Sequence, residues 1–322
     1  MRRFLEDLAI VQNTDRTMRL LRGVGAPAAE RITDEPQGLS EGVGRCFFVD
    51  SGSSLAASSN TGLEPRLPLA TLAQALSAAE ANRGDVIYLA AGHAENVAAA
   101  YNITKAGVSI VGLGRGNLRP TFTFTATAAN FAISAADVYI HNIACSGGID
   151  EVVSLFVISG ARCTLDDVGY IENATYNVRQ FVLTTAAADD LKIINCNHVH
   201  ETVSDATSAI WIELIGADRA KILDSSFFIT LPNHASSSTI AVTGTAALNI
   251  EVGRVYINQR GGTTQDNIMS FVANTTGFVH DVRAFGDVGT LAASMDLASC
   301  GVSEVYVATT VLKNGILEPV VA

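Results

Sequence analysis

The chain is poor in the features that usually announce a function. Only 16% of its 322 residues are charged and only 7% are aromatic, with a single tryptophan. Lys and Arg total 21 against 32 Asp and Glu, a net charge of −11. Without clustered cations there is nothing to neutralise phosphates, which excludes non-specific nucleic-acid binding and a polybasic membrane patch. No window approaches the ~18 continuous apolar residues of a membrane-spanning helix. The five cysteines (Cys46, Cys145, Cys163, Cys196, Cys300) are odd in number and lack CxxC spacing. That excludes a disulfide framework and a zinc knuckle, and predicts reduced, buried thiols. Glu6 and Asp7 interrupt the apolar run after Met1-Arg2-Arg3, a poor secretory leader. A chain made in a cytoplasm is the expectation.

What is abundant is short apolar strands separated by small residues. Residues 1–42 form a separate segment, with Arg at 2, 3, 16, 19, 22 and 31, seven acids, and a Gly/Ala/Pro cluster at 23–29. Helical turns are predicted around 3–12 and 15–22, too short to persist alone. The segment reads either as an arm that orders on a partner or as a packed N-terminal cap. From Gly44 the texture changes. "CFFVDSGS" and "DVIYLAAG" are strands, and "LATLAQALSAAEANRG" (69–84) reads as a helix stopped by Gly84.

Beyond residue 120 no helical pattern recurs. Strand-like units start at 131, 156, 181, 212, 240, 270 and 295, in steps of 25 to 31 residues, the mark of a stacked architecture. Each opens on an apolar pair two apart: Phe131/Ile133, Phe156/Ile158, Phe181/Leu183, Ile212/Leu214, Ile240/Val242, Met295/Leu297, with the 270 unit departing at Ser270/Val272. A small-residue corner follows, then a second pair: Val138/Ile140, Cys163/Leu165, Leu191/Ile193, Ala220/Ile222, Leu248/Ile250. Two residues later stands an amide or acid: Asn142, Asp167, Asn195, Asp224 and Asp281. These types tolerate the left-handed backbone and bond to nearby main chain, so they predict a corner ladder between strands. The fold class is therefore all-β: a right-handed parallel β-helix over 43–322, covered at its start by the 69–84 helix and preceded by the 1–42 arm. A Phe column at 131, 156 and 181 is expected inside it, and loops are expected at 145–153, 171–178, 198–208, 229–237 and 258–267.

"VSIVGLGRGNLRP" (108–120) comes near the glycine fingerprint of dinucleotide sites. That fingerprint needs a helix to open behind the last glycine and hold the pyrophosphate. Here Arg119-Pro120 and the alternating "TFTFTATA" follow, so the glycines predict a sharp turn and no cofactor site.

"FFVDSGSS…NTGLEPRLPLATLAQAL", "GDVIYLAAGHAE" and "GVSIVGLGRGNLRPTFTFT" together resemble the opening of pectin-lyase-like β-helix proteins, and more narrowly those among the virion proteins of tailed bacteriophages. The resemblance spans roughly 44 to 310. It implies a capsid decoration (cement) protein, a tailspike or a polysaccharide-cleaving enzyme, commonly a homotrimer attached to the particle by an N-terminal arm.

The residues themselves supply little catalytic signal. Paired carboxylates could serve glycoside cleavage, and the candidates are Asp166-Asp167, Asp189-Asp190 and Glu151, but no Lys or Arg recurs beside either pair. His198 and His200 share a strand face, yet His141 and His234 lie out of phase as a third metal ligand. No G-x-S-x-G elbow is present. Tyr170, Tyr176 and Tyr256 are candidates for a sugar-binding surface. Trp211, one step from inward-facing Ile212, is expected to point outward to a partner, with Arg3, Arg16, Arg19 and Arg22 as arm contacts. The sequence reading is a non-enzymatic, trimeric decoration protein of a phage virion, needing no cofactor or metal and contacting the major capsid protein or another virion protein through the arm. The rival is a tailspike-like protein that binds or cleaves a host-surface glycan.

Overall fold

The computed structural model describes residues 11–12, 18–19, 44–171, 175–176, 178–199, 210–230, 238–260, 267–286 and 295–309. From Cys46 to Thr309 it is a parallel β-solenoid. Among the described residues of this span one helix, Leu72–Ala78, interrupts the strands, together with a single 3-10 turn at Gly116–Leu118. Among the described residues every strand pairing in the solenoid is parallel and joins one coil to the next, as in Tyr139↔Thr164, Thr164↔Lys192 and Lys192↔Lys221.

The coils build three ladders, the first coil contributing to the first ladder alone. The first contains Cys46–Val49, Val86–Leu89, Ser109–Gly112 and residues 139–141, continuing through 164–166, 192–194, 221–223 and 251–253. The second begins with Ala94–Val97 and Thr121–Phe124 and continues through residues 144–147, 169–171, 197–199 and 226–230. These two merge into a 14-stranded sheet, because from residue 139 onward several strands run through the corner unbroken: Tyr139–Gly147, Thr164–Ile171, Ile250–Arg260. The third ladder is a separate 8-stranded sheet from Tyr101–Ile103 to Met295–Asp296.

Alternation puts one side of each ladder inside. Phe131, Phe156, Ile133, Ile158, Ile140 and Leu165 are all buried in one continuous core. Like stacks on like: the Phe131 and Phe156 rings lie 5.2 Å apart at 22°. Phe181 departs from the expected column. Val182 is the register partner of Phe156, and Phe181 sits one step earlier, donating its N–H to the carbonyl of Trp211. Its ring still meets Phe156 edge-on at 5.4 Å. The inward pair of this coil is consequently Val182/Thr184, with Leu183 facing out. The 270 unit resolves the same way: Met269 and Phe271 point in, and Ser270 points out. Leu248 is 43% exposed and leaves the core to Ile250 and Val252.

Other local expectations also shift. The helix is shorter than 69–84. Thr71 caps it with a reciprocal Gln74 bond, and it ends at Ala79. Gly84 lies beyond the helix, with φ +78° two residues before the strand at Val86. Val11–Gln12 and Met18–Arg19 pair as a two-residue antiparallel bridge where helical turns were expected; short isolated helices hold too few hydrogen bonds to offset nucleation. The strands run on into the first residues expected as loops, to Gly147, Ile171 and Thr230. Four cysteines are buried, and burial pushes the Cys163 thiol up to about 11 and that of Cys196 to about 12, so both stay protonated. No described helix is long and apolar enough to cross a membrane.

Trp211 is the correction with most consequence. It is 2% exposed, stacked against Phe181 at 5.7 Å and His198 at 4.6 Å, inside the solenoid. Trp211 and Ile212, consecutive within the strand Ile210–Leu214, both face in, so alternation breaks inside that strand; the Trp211 carbonyl accepts from the Phe181 N–H there. It reaches no partner. Being the only tryptophan, it reports on the core. Its emission is expected to be blue-shifted and resistant to acrylamide in the native state, shifting red on unfolding. Followed this way, Phe156→Ala is expected to cost about 3–5 kcal/mol through the cavity left in the stack.

Candidate functional site

The corner between the first and second ladders concentrates the candidate residues. Asn142, Asp167, Asn195, Asp224 and Asp281 have φ between +48° and +55°, the left-handed region. Arg254 and Glu304 occupy the same register position, at φ +52° and +54°. Arg254 is neither an amide nor an acid, and no second apolar pair was recognised in the last unit to lead to Glu304, which is why the sequence pattern missed them.

Below Asn142 this corner is made by the glycine-rich loop. A Cβ on Gly112 would lie 1.9 Å from the Asn142 carbonyl oxygen, and Gly114 has φ +93°. The Asn142 amide donates to the carbonyls of Gly112 (2.8 Å) and Gly114 (2.9 Å). Arg119 donates Nε–H to Asn142 Oδ1 at 3.0 Å, and its other end donates to the carbonyl and carboxylate of Asp167. The loop is thus a wide corner locked to the first of the one-residue corners. Only the three-residue turn Gly116–Leu118 follows the glycines, too short to present a phosphate-binding helix end.

Beside it, on the outer face of the first ladder, lies the most chemically varied cluster. Asp166 accepts from the Tyr139 hydroxyl (2.8 Å) and the Asn195 amide (2.8 Å), and meets His141 Nδ1 at 3.1 Å. The Tyr139 and His141 rings stack at 5.8 Å and 9°. Burial, then the bond to Asp166, raises the Tyr139 pKa, so the phenol stays protonated. His141 and Asp166 side chains are 26% and 16% exposed. Tyr139 and His141 are what the sequence reading failed to associate with Asp166; the 25-residue step that aligns 141 with 166 was the available signal.

The remaining carboxylates are held by cations. A second left-handed corner precedes the first ladder at Gly84, Gly107, Asp137, Arg162, Asp190, Arg219 and Asn249. Here acid and base alternate from coil to coil. Arg162 is bidentate to Asp137 at 2.7 Å for both contacts, and Arg219 is bidentate to Asp190 at 2.8 and 3.0 Å, with Asp189 at 3.3 Å. Glu151 accepts from Arg179 at 2.6 Å and Asp224 from Arg254. Bonds to these arginines hold Asp137, Asp190 and Asp224 below the usual carboxylate range, and Lys221 does the same for Glu251. A general acid needs the opposite shift. Among the described residues no cluster of three metal-ligating side chains occurs.

Two histidine constellations have structural explanations. His198 lies inside, against Tyr170 at 4.9 Å as well as Trp211, and so is not a solvated surface histidine. His200, Glu201 and His234 fall outside the described residues, as do Arg3, Arg16 and Arg22; of the arm arginines only Arg19 falls within them, in its two-residue strand. Tyr176 and Tyr256 are exposed, whereas Tyr170 is buried. Ser51, His93 and Glu95 do converge, but not as a nucleophile triad. Ser51 donates its backbone N–H to His93 Nδ1 at 3.0 Å, while its hydroxyl accepts from the Ala94 N–H. With Nδ1 accepting, Nε2 carries the proton toward Glu95 at 3.1 Å. Glu95 also accepts from Leu72 N–H at the helix start and from the Tyr101 hydroxyl. The group ties the capping helix to the first coils.

Two outcomes are expected. Asn142→Ala should cost about 2–3 kcal/mol in denaturant unfolding, from two lost carbonyl bonds plus the left-handed penalty; Asn142→Gly should recover about 1 kcal/mol of that. For pH, the lowered folded-state carboxyls stabilise the protein above their unfolded values, and that contribution is lost as pH falls through the folded ones. The part of stability due to Asp137, Asp190, Asp224 and Glu251 should be level above about pH 5.5 and decline below about pH 4, less steeply in Arg162→Gln/Arg219→Gln.

Comparison with known proteins assigns no activity. No family model and no curated protein sequence matches the chain. Among solved structures it is similar to a rhamnogalacturonan lyase, at 12% identity and a TM-score of 0.44 over 86% of this chain and 90% of that one. It is also similar to a GH136 lacto-N-biosidase from Eubacterium ramulus, at 10% identity and a TM-score of 0.36 over 81% and 67%. At these scores neither protein's activity passes to this chain.

Proposed function

We propose that this chain is a non-enzymatic structural protein of a tailed-phage particle, a trimeric decoration protein whose β-solenoid is a rigid body and whose residues 1–42 attach it to capsid subunits. The phage assignment leans on the sequence resemblance over roughly 44 to 310. The observation that carries the structural reading is the employment of the carboxylates. Asp167, Asp189, Asp190 and Glu151 each engage an arginine, all at a left-handed residue or beside one, and all across a coil boundary or wider. Groups so held keep neighbouring coils in register, and the Arg219 bond holds Asp190 below the usual carboxylate range. A rigid protein that binds only the assembled shell stabilises that shell by mass action.

A second reading, host-glycan cleavage, is favoured by one observation: the half-buried Tyr139–His141–Asp166 cluster combines a hydroxyl, an imidazole and a carboxylate within hydrogen-bond reach. Two measurements separate the readings. Purified protein incubated with host surface polysaccharide should release no reducing or unsaturated sugar; release abolished by Asp166→Asn would establish the enzyme instead. Protein lacking residues 1–42 should fold, by Trp211 emission, yet fail to co-sediment with particles, and retained co-sedimentation would remove the arm from the proposal.

A further inference from the structure

Far along the solenoid, the outer face of the first ladder carries a second feature that neither reading uses. An open depression of about 430 Å³ is lined by Asn249, Glu251, Thr276, Gly277, Phe278 and Ser299, among others. That volume falls in the ~300–1,000 Å³ range of small-molecule sites.

Its aromatic wall is built by glycines on the neighbouring coils. Phe278 pairs in register with Gly301, and His280 with Gly253. A Cβ on Gly301 would lie 3.0 Å from the Phe278 ring, and one on Gly253 would lie 2.3 Å from His280 Nε2. Both rings therefore lie flat across the sheet, on positions that side chains would otherwise fill. They stack on each other at 5.3 Å and 27°. Phe278 remains 45% exposed, so an apolar ring face is held toward solvent, left uncovered by the described residues.

The polar rim is equally placed. Glu251 accepts from Lys221 Nζ at 2.6 Å and meets His280 Nε2 at 3.3 Å, which fixes the carboxylate while leaving lone pairs on both oxygens. Thr276 accepts the Asn249 N–H at 3.1 Å, and its own O–H proton is left to donate. The Asn249 amide and the Ser299 hydroxyl have no hydrogen-bond partner among the described residues. Glu251 is matched by Lys221, so the rim offers no surplus cation to an anionic ligand.

A fixed apolar ring face bordered by a carboxylate, an amide and two hydroxyls matches one ligand chemistry: a ring with an apolar C–H face and a rim of hydroxyls. We infer that this depression binds a single uncharged pyranose unit, the sugar's C–H face on Phe278 and its hydroxyls on Glu251, Asn249, Thr276 and Ser299. The site is non-catalytic and separate from the Tyr139–His141–Asp166 cluster, and its failure would leave the structural reading untouched.

The test is saturation-transfer NMR on the full chain with methyl glycosides of glucose, galactose, mannose and N-acetylglucosamine, and methyl glucuronide as the charged comparator. At least one uncharged glycoside is expected to show transfer, weakened about tenfold or more by Phe278→Ala, by Phe278→Leu, which keeps apolar bulk without the ring face, and by Gly301→Leu, which displaces the ring. Tyr306→Ala, an exposed aromatic on the second ladder, is expected to leave it unchanged, and Trp211 emission confirms folding of each variant. Transfer to none of the uncharged glycosides, transfer only to the glucuronide, or binding indifferent to Phe278→Leu would each overturn the inference.

Discussion

The solenoid depends on turning a chain through a sharp angle with one residue. An extended strand that enters the left-handed region for a single residue and leaves it again bends without a loop, so first and second ladders stay in one continuous sheet. That conformation costs an ordinary L-residue about 1–2 kcal/mol, and the structure spreads the cost over two corners per coil. Where side chains at these corners bond to the next coil, as Asn142 does to Gly112 and Gly114 or Arg162 to Asp137, the residue that is strained is also the residue that ties. Core stacking then follows: fixed corners bring Phe156 over Phe131 and Ile158 over Ile133.

Most of this architecture was legible because a repeat exposes its own register. The 25-residue step from 131 to 156 superimposes apolar pair, small corner, second pair and amide or acid in one comparison. Legibility failed where a coil departs by one residue. Phe181 looks like the third member of a column, yet Val182 holds the register position, and the aromatic has moved to the corner below Trp211. Alternation is a rule for residues within strands. Even there it can break, as at the consecutive buried Trp211 and Ile212, and Trp211 was assigned to the surface for that reason.

The candidate chemistry was less legible because it is assembled across coils. Asp166 was visible as half of an acidic pair, but its partners Tyr139, His141 and Asn195 belong to the coils on either side. The same holds for the arginines. Arg162 and Arg219 appear isolated in sequence, and only the stacking of a second left-handed corner brings each onto an aspartate one coil away. The GLGRGN loop illustrates the opposite case, a motif with an apparent local meaning whose glycines answer to a residue 30 positions later.

The alternation at that second corner also constrains how such a chain can grow. Asp137, Arg162, Asp190 and Arg219 stand in successive coils, so that charges of opposite sign are neighbours throughout the run. Duplicating one coil within this run would set two like charges against each other, whereas duplicating two would keep the order intact. Length in this part of the solenoid is therefore subject to parity: coils are gained or lost most easily in pairs.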